Sequence, residues 1–197
     1  MKYAGFLSRA IAATVDGLVL LPFGFLFLWV VSFKGAALLL AVPLAAVGPA
    51  YQIWLHARSG QTLGKRFAGI RVLRLDGERI SWREALSRSS VDAGFCVAET
   101  VVTLLALYQL SDAQLSVSWF ERSELFMQHG PVWGKYVSYA SAAWGASELV
   151  SLLFNAKRRA LHDFIAGTIV VHESLEATSR EQPFLGSARA PSVSVKS

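Results

Sequence analysis

Four stretches of the chain carry apolar residues almost without a break: 11–33, 35–55, 91–110 and 136–155. The first would be about 34 Å long as a helix, enough to cross a hydrocarbon core of roughly 30 Å. Lys34 and Gly35 leave only a tight turn before the second, so the pair reads as a helical hairpin. The pattern predicts an all-α membrane fold, a four-span helical bundle. The first stretch is too long for the core of a cleaved signal sequence and is expected to be retained.

The segment between the second and third stretches has local signals of its own. Residues 69–80 read as a short cytoplasmic β-hairpin that turns at Asp76-Gly77, since Asp-Gly between apolar runs favours a tight reversal. Ser81 and Glu84 have capping-box spacing. A helix starting there would lay Trp82, Ala85 and Leu86 along the membrane surface before the third span. Beyond residue 173, Ser, Ala, Arg, Glu and Pro dominate without apolar period. Residues 1–173 are therefore expected to form one transmembrane domain, and 174–197 a disordered tail.

Composition agrees with a membrane protein and excludes a soluble one. Apolar residues make up 53% and charged residues 17%, with a mean hydropathy of +0.41; soluble domains hold about 25% charged residues. The net charge of +5 is not spread like that of a nucleic-acid binder. Of the 19 Lys and Arg residues, only Lys34, Arg122 and Lys135 fall on one side of the four spans. The positive-inside rule then places both termini in the cytoplasm, and an odd number of spans could not satisfy that split. Cys96 is the single cysteine, so no intramolecular disulfide can form, and it reads as a small apolar filler.

The two halves echo one another. Leu7-Ser8-Arg9 precedes Val15-Asp16 and the first span; Leu86-Ser87-Arg88 precedes Val91-Asp92 and the third. Ala68-Gly69 follows the second span and Ala166-Gly167 the fourth, each leading into a short apolar run. Both halves would begin and end in the cytoplasm. A duplication would therefore be a parallel two-fold internal repeat, with its axis along the membrane normal. Chance similarity between short apolar strings is the alternative.

Asp16, Asp92, Glu99 and Glu148 lie within or at the edge of the spans. A central Asp costs roughly 2.5–3.5 kcal/mol on insertion scales, so such groups face a bundle interior or water. Arg9 and Asp16 share a helix face, as do Asp92 and Glu99, and Ser141, Gly145, Glu148 and Ser151 form one stripe. Desolvated carboxyls suit proton carriage; a buried pair that fixes helix assembly is the competing structural reading.

The Gly60–Arg66 stretch has three residues between its glycines, and Arg66 stands where a P-loop needs a hydroxyl. Nucleotide binding is rejected; Lys65 and Arg66 fit lipid headgroups or a tight re-entrant turn. The histidines lack ligand spacing, so no metal is expected, nor any cofactor. His162-Asp163 follows Lys157, Arg158 and Arg159, which suggests a surface salt bridge. No nucleophile-and-base constellation marks an enzyme.

Three blocks carry a resemblance: Arg9 with Asp16, the Gly60–Arg66 stretch with Gly69-Ile70-Arg71-Val72, and Arg158-Arg159-Ala160-Leu161-His162-Asp163 with Ala166-Gly167-Thr168. Over about residues 3–173 the chain resembles the RDD family of bacterial integral membrane proteins, whose name records one arginine and two aspartates. Matched by motif these are Arg9, Asp16 and Asp163. The chain departs from the commoner three-span layout in segment 111–133 and in its extra acids. The resemblance implies a multi-pass protein of the bacterial inner membrane. Some members are associated with sodium–proton exchange, so transport by antiport of a monovalent cation against protons is expected. A non-catalytic scaffold or assembly factor is the alternative. A homo-oligomer is expected, because four spans are few to enclose a path. The two readings separate on whether the acids line water or pair off dry. Arg9 is expected between Asp16 and Asp163 in one cluster.

Overall fold

A computed structural model describes residues 2–154 and 158–173. Helix α1 spans Phe6–Val30 and α2 spans Lys34–Ser59. Pro22, Pro43 and Pro49 lie inside them, and neighbouring helices compensate such breaks in membrane helices. Gly60 ends α2 in the left-handed conformation (φ 69°), and its N–H closes on the His56 carbonyl at 2.8 Å. The chain then turns back into α3, Leu63–Phe67, capped by the Thr62 hydroxyl.

Strand β1, Ile70–Arg74, follows Gly69, which has a φ of 61°. Helix α4, Trp82–Gln109, starts at the expected capping box of Ser81 and Glu84 and runs unbroken for 28 residues. The expected surface helix is thus not separate. Its residues are the first turns of α4, because nothing between Trp82 and Gln109 interrupts helical hydrogen bonding. Two short helices, α5 at Asp112–Leu115 and α6 at Trp119–His129, fill the segment 111–133. Then come α7, Gly134–Phe154, α8, Leu161–Ile165, and β2, Thr168–His172.

The β-hairpin expectation is corrected. Gly77 does make the turn (φ 88°), but the return arm holds only one bridge, Leu73 to Arg79. The true partner of β1 is β2, antiparallel, with Val72 opposite Val170 at the centre of the register. The return arm ends early because Ser81 already caps α4.

Three helices, α1, α2 and α4, are long and apolar enough to cross a membrane. The fourth expected span is a helix, α7, of 21 residues. Lys135, Glu148 and several serines are spread along it, so even its most apolar stretch is less apolar than the best stretch of each of the other three. Residue 155 of that stretch, Lys157 and the tail 174–197 lie outside the described residues.

Buried apolar residues gather at two ends. Ala4, Ala12, Ile70, Val72, Ile80 and Val170 pack under the sheet, and Val30, Val31, Ala37, Leu107, Leu110 and Leu115 close the opposite end. Between these ends the three apolar helices expose most of their surface: Leu39 is 78% exposed and Phe25 63%. That surface suits lipid. At the end opposite the sheet, Lys34 donates to the Tyr108 and Leu110 carbonyls, and Arg122 to those of Leu28, Leu115 and Val117.

Candidate functional site

The two motif aspartates sit in separate settings at the sheet end. Asp16, on α1, accepts from the Tyr51 hydroxyl (2.6 Å), the Thr62 hydroxyl (2.5 Å) and the Gly64 N–H (2.7 Å). Gly64 must be glycine for this: a Cβ there would lie 1.9 Å from the Ala12 carbonyl oxygen. The re-entrant turn is pinned on α1 through Asp16.

Asp163, fully buried, is held from two sides. Arg9 of α1 donates to one carboxylate oxygen at 2.7 Å and to the Arg158 carbonyl at 2.7 Å. Arg88 of α4 binds the other oxygen and also the Thr168 hydroxyl (3.0 Å). The Ala160 N–H adds a third donor, so Asp163 also caps α8. Burial pushes the Asp163 carboxyl up, but Arg88 and Arg9 outweigh it and hold it well below the usual carboxylate range. Charge-assisted bonds of this kind are the strong ones.

His162 joins Arg88 to Glu148. Arginine can only donate, so Nε2 of His162 accepts from Arg88 at 2.6 Å. The ring proton then sits on Nδ1, which binds the Glu148 carboxylate. Burial, and next the Arg88 charge, lower the His162 pKa. The pair is a neutral imidazole on a carboxylate, a geometry able to pass a proton along.

The expected single cluster is therefore corrected. Arg9 pairs with Asp163 and not with Asp16, whose oxygens are taken by Tyr51, Thr62 and Gly64. The expected salt bridge of Asp163 to its neighbouring basic run is also replaced: its carboxylate goes to Arg9 and Arg88, and Arg159 binds the Asp163 carbonyl instead. Arg88 was the functional residue missed, although the repeated Leu-Ser-Arg string pointed at it. Lys65 turns inward to line a cavity, whereas Arg66 is exposed. The Lys65 ammonium has no hydrogen bond or ion pair among the described residues. Burial, then Arg88, pushes its pKa down to about 7.

The remaining acids line open space. A cavity of about 460 Å³ at the sheet end is bordered by Lys65, Arg88, Asp92, Glu148 and His162. A cleft of about 600 Å³ adjoins it, sharing Leu20, Gly48, Asp92 and Cys96, and runs along α4 to Glu99 and Thr103. A third cavity, about 290 Å³, shares Glu99 and Thr103 and reaches Lys135. Asp92 accepts from the Trp144 indole at 2.9 Å; the Glu99 carboxylate has no hydrogen-bond partner among the described residues. Spacing along α4 puts Arg88, Asp92, Glu99 and Thr103 on one face. No group of three His, Cys, Asp or Glu able to hold a metal ion occurs among the described residues.

Comparison with the curated proteins and with the solved structures finds no match. The model of the RDD family matches residues 3–167, a span that contains Arg9, Asp16, Arg88 and Asp163. By that match, and by the apolar helices α1, α2 and α4, the chain belongs to the RDD family of membrane proteins.

Proposed function

We propose that this protein exchanges a cation for protons across the bacterial inner membrane. In this reading α7 is the fourth span and both termini are cytoplasmic. Glu148, Asp92 and Glu99 are the groups that alternate between proton and cation. The supporting observation is the row of adjoining cavities that these three acids line, from Arg88 and His162 at one end to Lys135 at the other. None of the three is paired with an arginine or lysine among the described residues, so each carboxylate is open to exchange a proton for an arriving cation. The His162 and Glu148 pair would load the proton on the cytoplasmic side. No enzymatic step is part of the reading, and a second copy would complete the walls of the path.

The motif residues have a different job in this proposal. Arg9, Asp163 and Arg88 pair with one another and latch α1, α4 and α8 together. That latch is also what favours the alternative, a non-catalytic scaffold. A parallel duplication fits the same geometry. Gly69 and Gly167 share the left-handed conformation, and equivalent residues Val72 and Val170 face each other at the centre of the ladder, as a two-fold axis requires.

The test is a pH-sensitive dye inside reconstituted vesicles under an imposed sodium or potassium gradient. Wild-type protein should dissipate an internal proton gradient, and Glu99→Gln with Asp92→Asn should abolish that flux at undiminished protein yield. Wild-type vesicles without flux, or a double variant as active as wild type, would overturn the exchange reading and leave the scaffold.

A further inference from the structure

The cleft along α4 is shaped for something larger than a bare ion. A water in liquid occupies about 30 Å³, so a cleft of about 600 Å³ has room for roughly twenty waters, far more than one desolvated monovalent ion fills. Hard cations are caged by six or more oxygens, yet the acids here stand two helical turns apart on α4. Organic ligands occupy clefts of about this volume, mostly apolar with a few polar groups.

The walls have the matching chemistry. Phe23, Phe27, Phe95 and Trp144 border the cleft together with Asp92 and Glu99, and among the described residues no Lys, Arg or His does. Aromatic faces attract cations, most strongly away from water. Gly24, Gly48 and Gly145, from three different helices, meet nothing within 4 Å of where a Cβ would be, so each leaves room on the cleft side. A second observation comes from the adjoining cavity. His56, 1% exposed, borders it; its ring has only a poorly aligned contact with the Gln52 backbone, one turn back on α2, and neither nitrogen makes a well-formed hydrogen bond. A buried imidazole with hydrogen-bonding capacity to spare marks a place where a ligand's polar group would be accepted.

We infer that the cleft binds an organic ammonium cation with an apolar body. Its charge rests between Asp92 and Glu99, its body lies against the phenylalanines and Trp144, and any polar substituent reaches toward His56. This assignment rests on the exchange reading only for the direction of transport; the binding site stands on the cleft itself. The ammonium would supply the counter-charge that neither carboxylate finds along the cleft, where Asp92 has only the Trp144 indole, and such compensation is what makes intramembrane acids tolerable.

Equilibrium binding of tetraphenylphosphonium to the full-length purified protein tests it. Competition by benzyltrimethylammonium is compared with competition by neopentylbenzene, its uncharged carbon isostere. Saturable binding is expected, displaced by the ammonium and not by the hydrocarbon, and weakened at least ten-fold in Asp92→Asn with Glu99→Gln. Absence of saturable binding, equal displacement by the neutral isostere, or full affinity in the double variant would overturn the assignment. Should the double variant fail to fold, the charged-against-neutral comparison on wild type decides alone. Sodium-driven proton flux without phosphonium binding would retain the exchanger and sink the organic substrate. Phosphonium binding with no flux of any cation would keep the site and sink the exchanger.

Discussion

Arg9 and Arg88 hold opposite oxygens of one carboxylate, Asp163, from two different apolar helices. The arrangement makes Asp163 the counter-charge that both guanidinium groups share. Asp163→Asn is expected to leave a buried positive excess, which costs about 3–5 kcal/mol, and to appear as loss of monodisperse protein in size-exclusion chromatography. Arg88→Gln should be worse than Arg9→Gln, because Arg88 also holds Thr168 and His162. An Asp163→Asn protein as stable as wild type would remove the latch from the account. Because the Asp163 carboxyl is held below its ordinary value, its contribution is complete above the usual carboxylate range. It fails only as pH falls through the folded-state value, so no loss from this group is expected between pH 5 and 8.

Gly64→Ala should act on the other aspartate. A methyl group there would collide with the Ala12 carbonyl and the Asp16 carboxylate, at 1.9 and 2.8 Å. The turn must then lift off α1, taking with it two of the bonds to Asp16. A loss of folded yield on the order of that from a broken buried network, roughly 1–3 kcal/mol, is expected. Gly24→Ala, where nothing lies within 4 Å, is the control. Equal yields of the two variants would show that the close approach is not required.

Lys65 should be a cost to stability. Its unfolded-state pKa is near 10.5 and its folded value about 7. Between those values the unfolded chain binds more protons, so stability rises with pH through that window; below about 7 the full cost of the buried charge is present. Lys65→Met is expected to flatten the rise and to raise the thermal midpoint at pH 7, by about 2–4 °C for each kcal/mol relieved. A midpoint lowered at pH 7 would mean that the ammonium has a stabilising partner.

The orientation is checked by labelling single cysteines in a Cys96→Ser background. Phe120 is 77% exposed and Leu75 52% exposed, at opposite ends of the molecule. A membrane-impermeant maleimide added to cells should label Phe120→Cys and spare Leu75→Cys. The reverse pattern would invert the proposed topology.

Much of this was readable from residue order, for definite reasons. Apolar stretches of the right length set α1, α2 and α4, and Ser81 with Glu84 set the start of α4, because both signals are local. The pairing of Arg9 was not readable. Sharing a helix face with Asp16 brought the two within about 10 Å along the axis, but partner choice fell to groups that no periodicity marks. Thr62 and Gly64 arrive through a turn, and Asp163 comes from the far end of the chain. The partner of β1 was hidden likewise. Its turn signal at Asp76-Gly77 was real, but the stronger ladder formed with a strand nearly a hundred residues away.

Two of the three cations at the end opposite the sheet serve as plugs. Lys34 stops the carbonyl end of α4, and Arg122 that of α1, so neither stands as a free charge. Negative helix ends absorb them. In the proposed topology most of the positive charge on the periplasmic face is therefore engaged with helix ends once the protein has folded. It also follows that neutralising Lys34 or Arg122 would fray a helix terminus before it altered which way the protein faces.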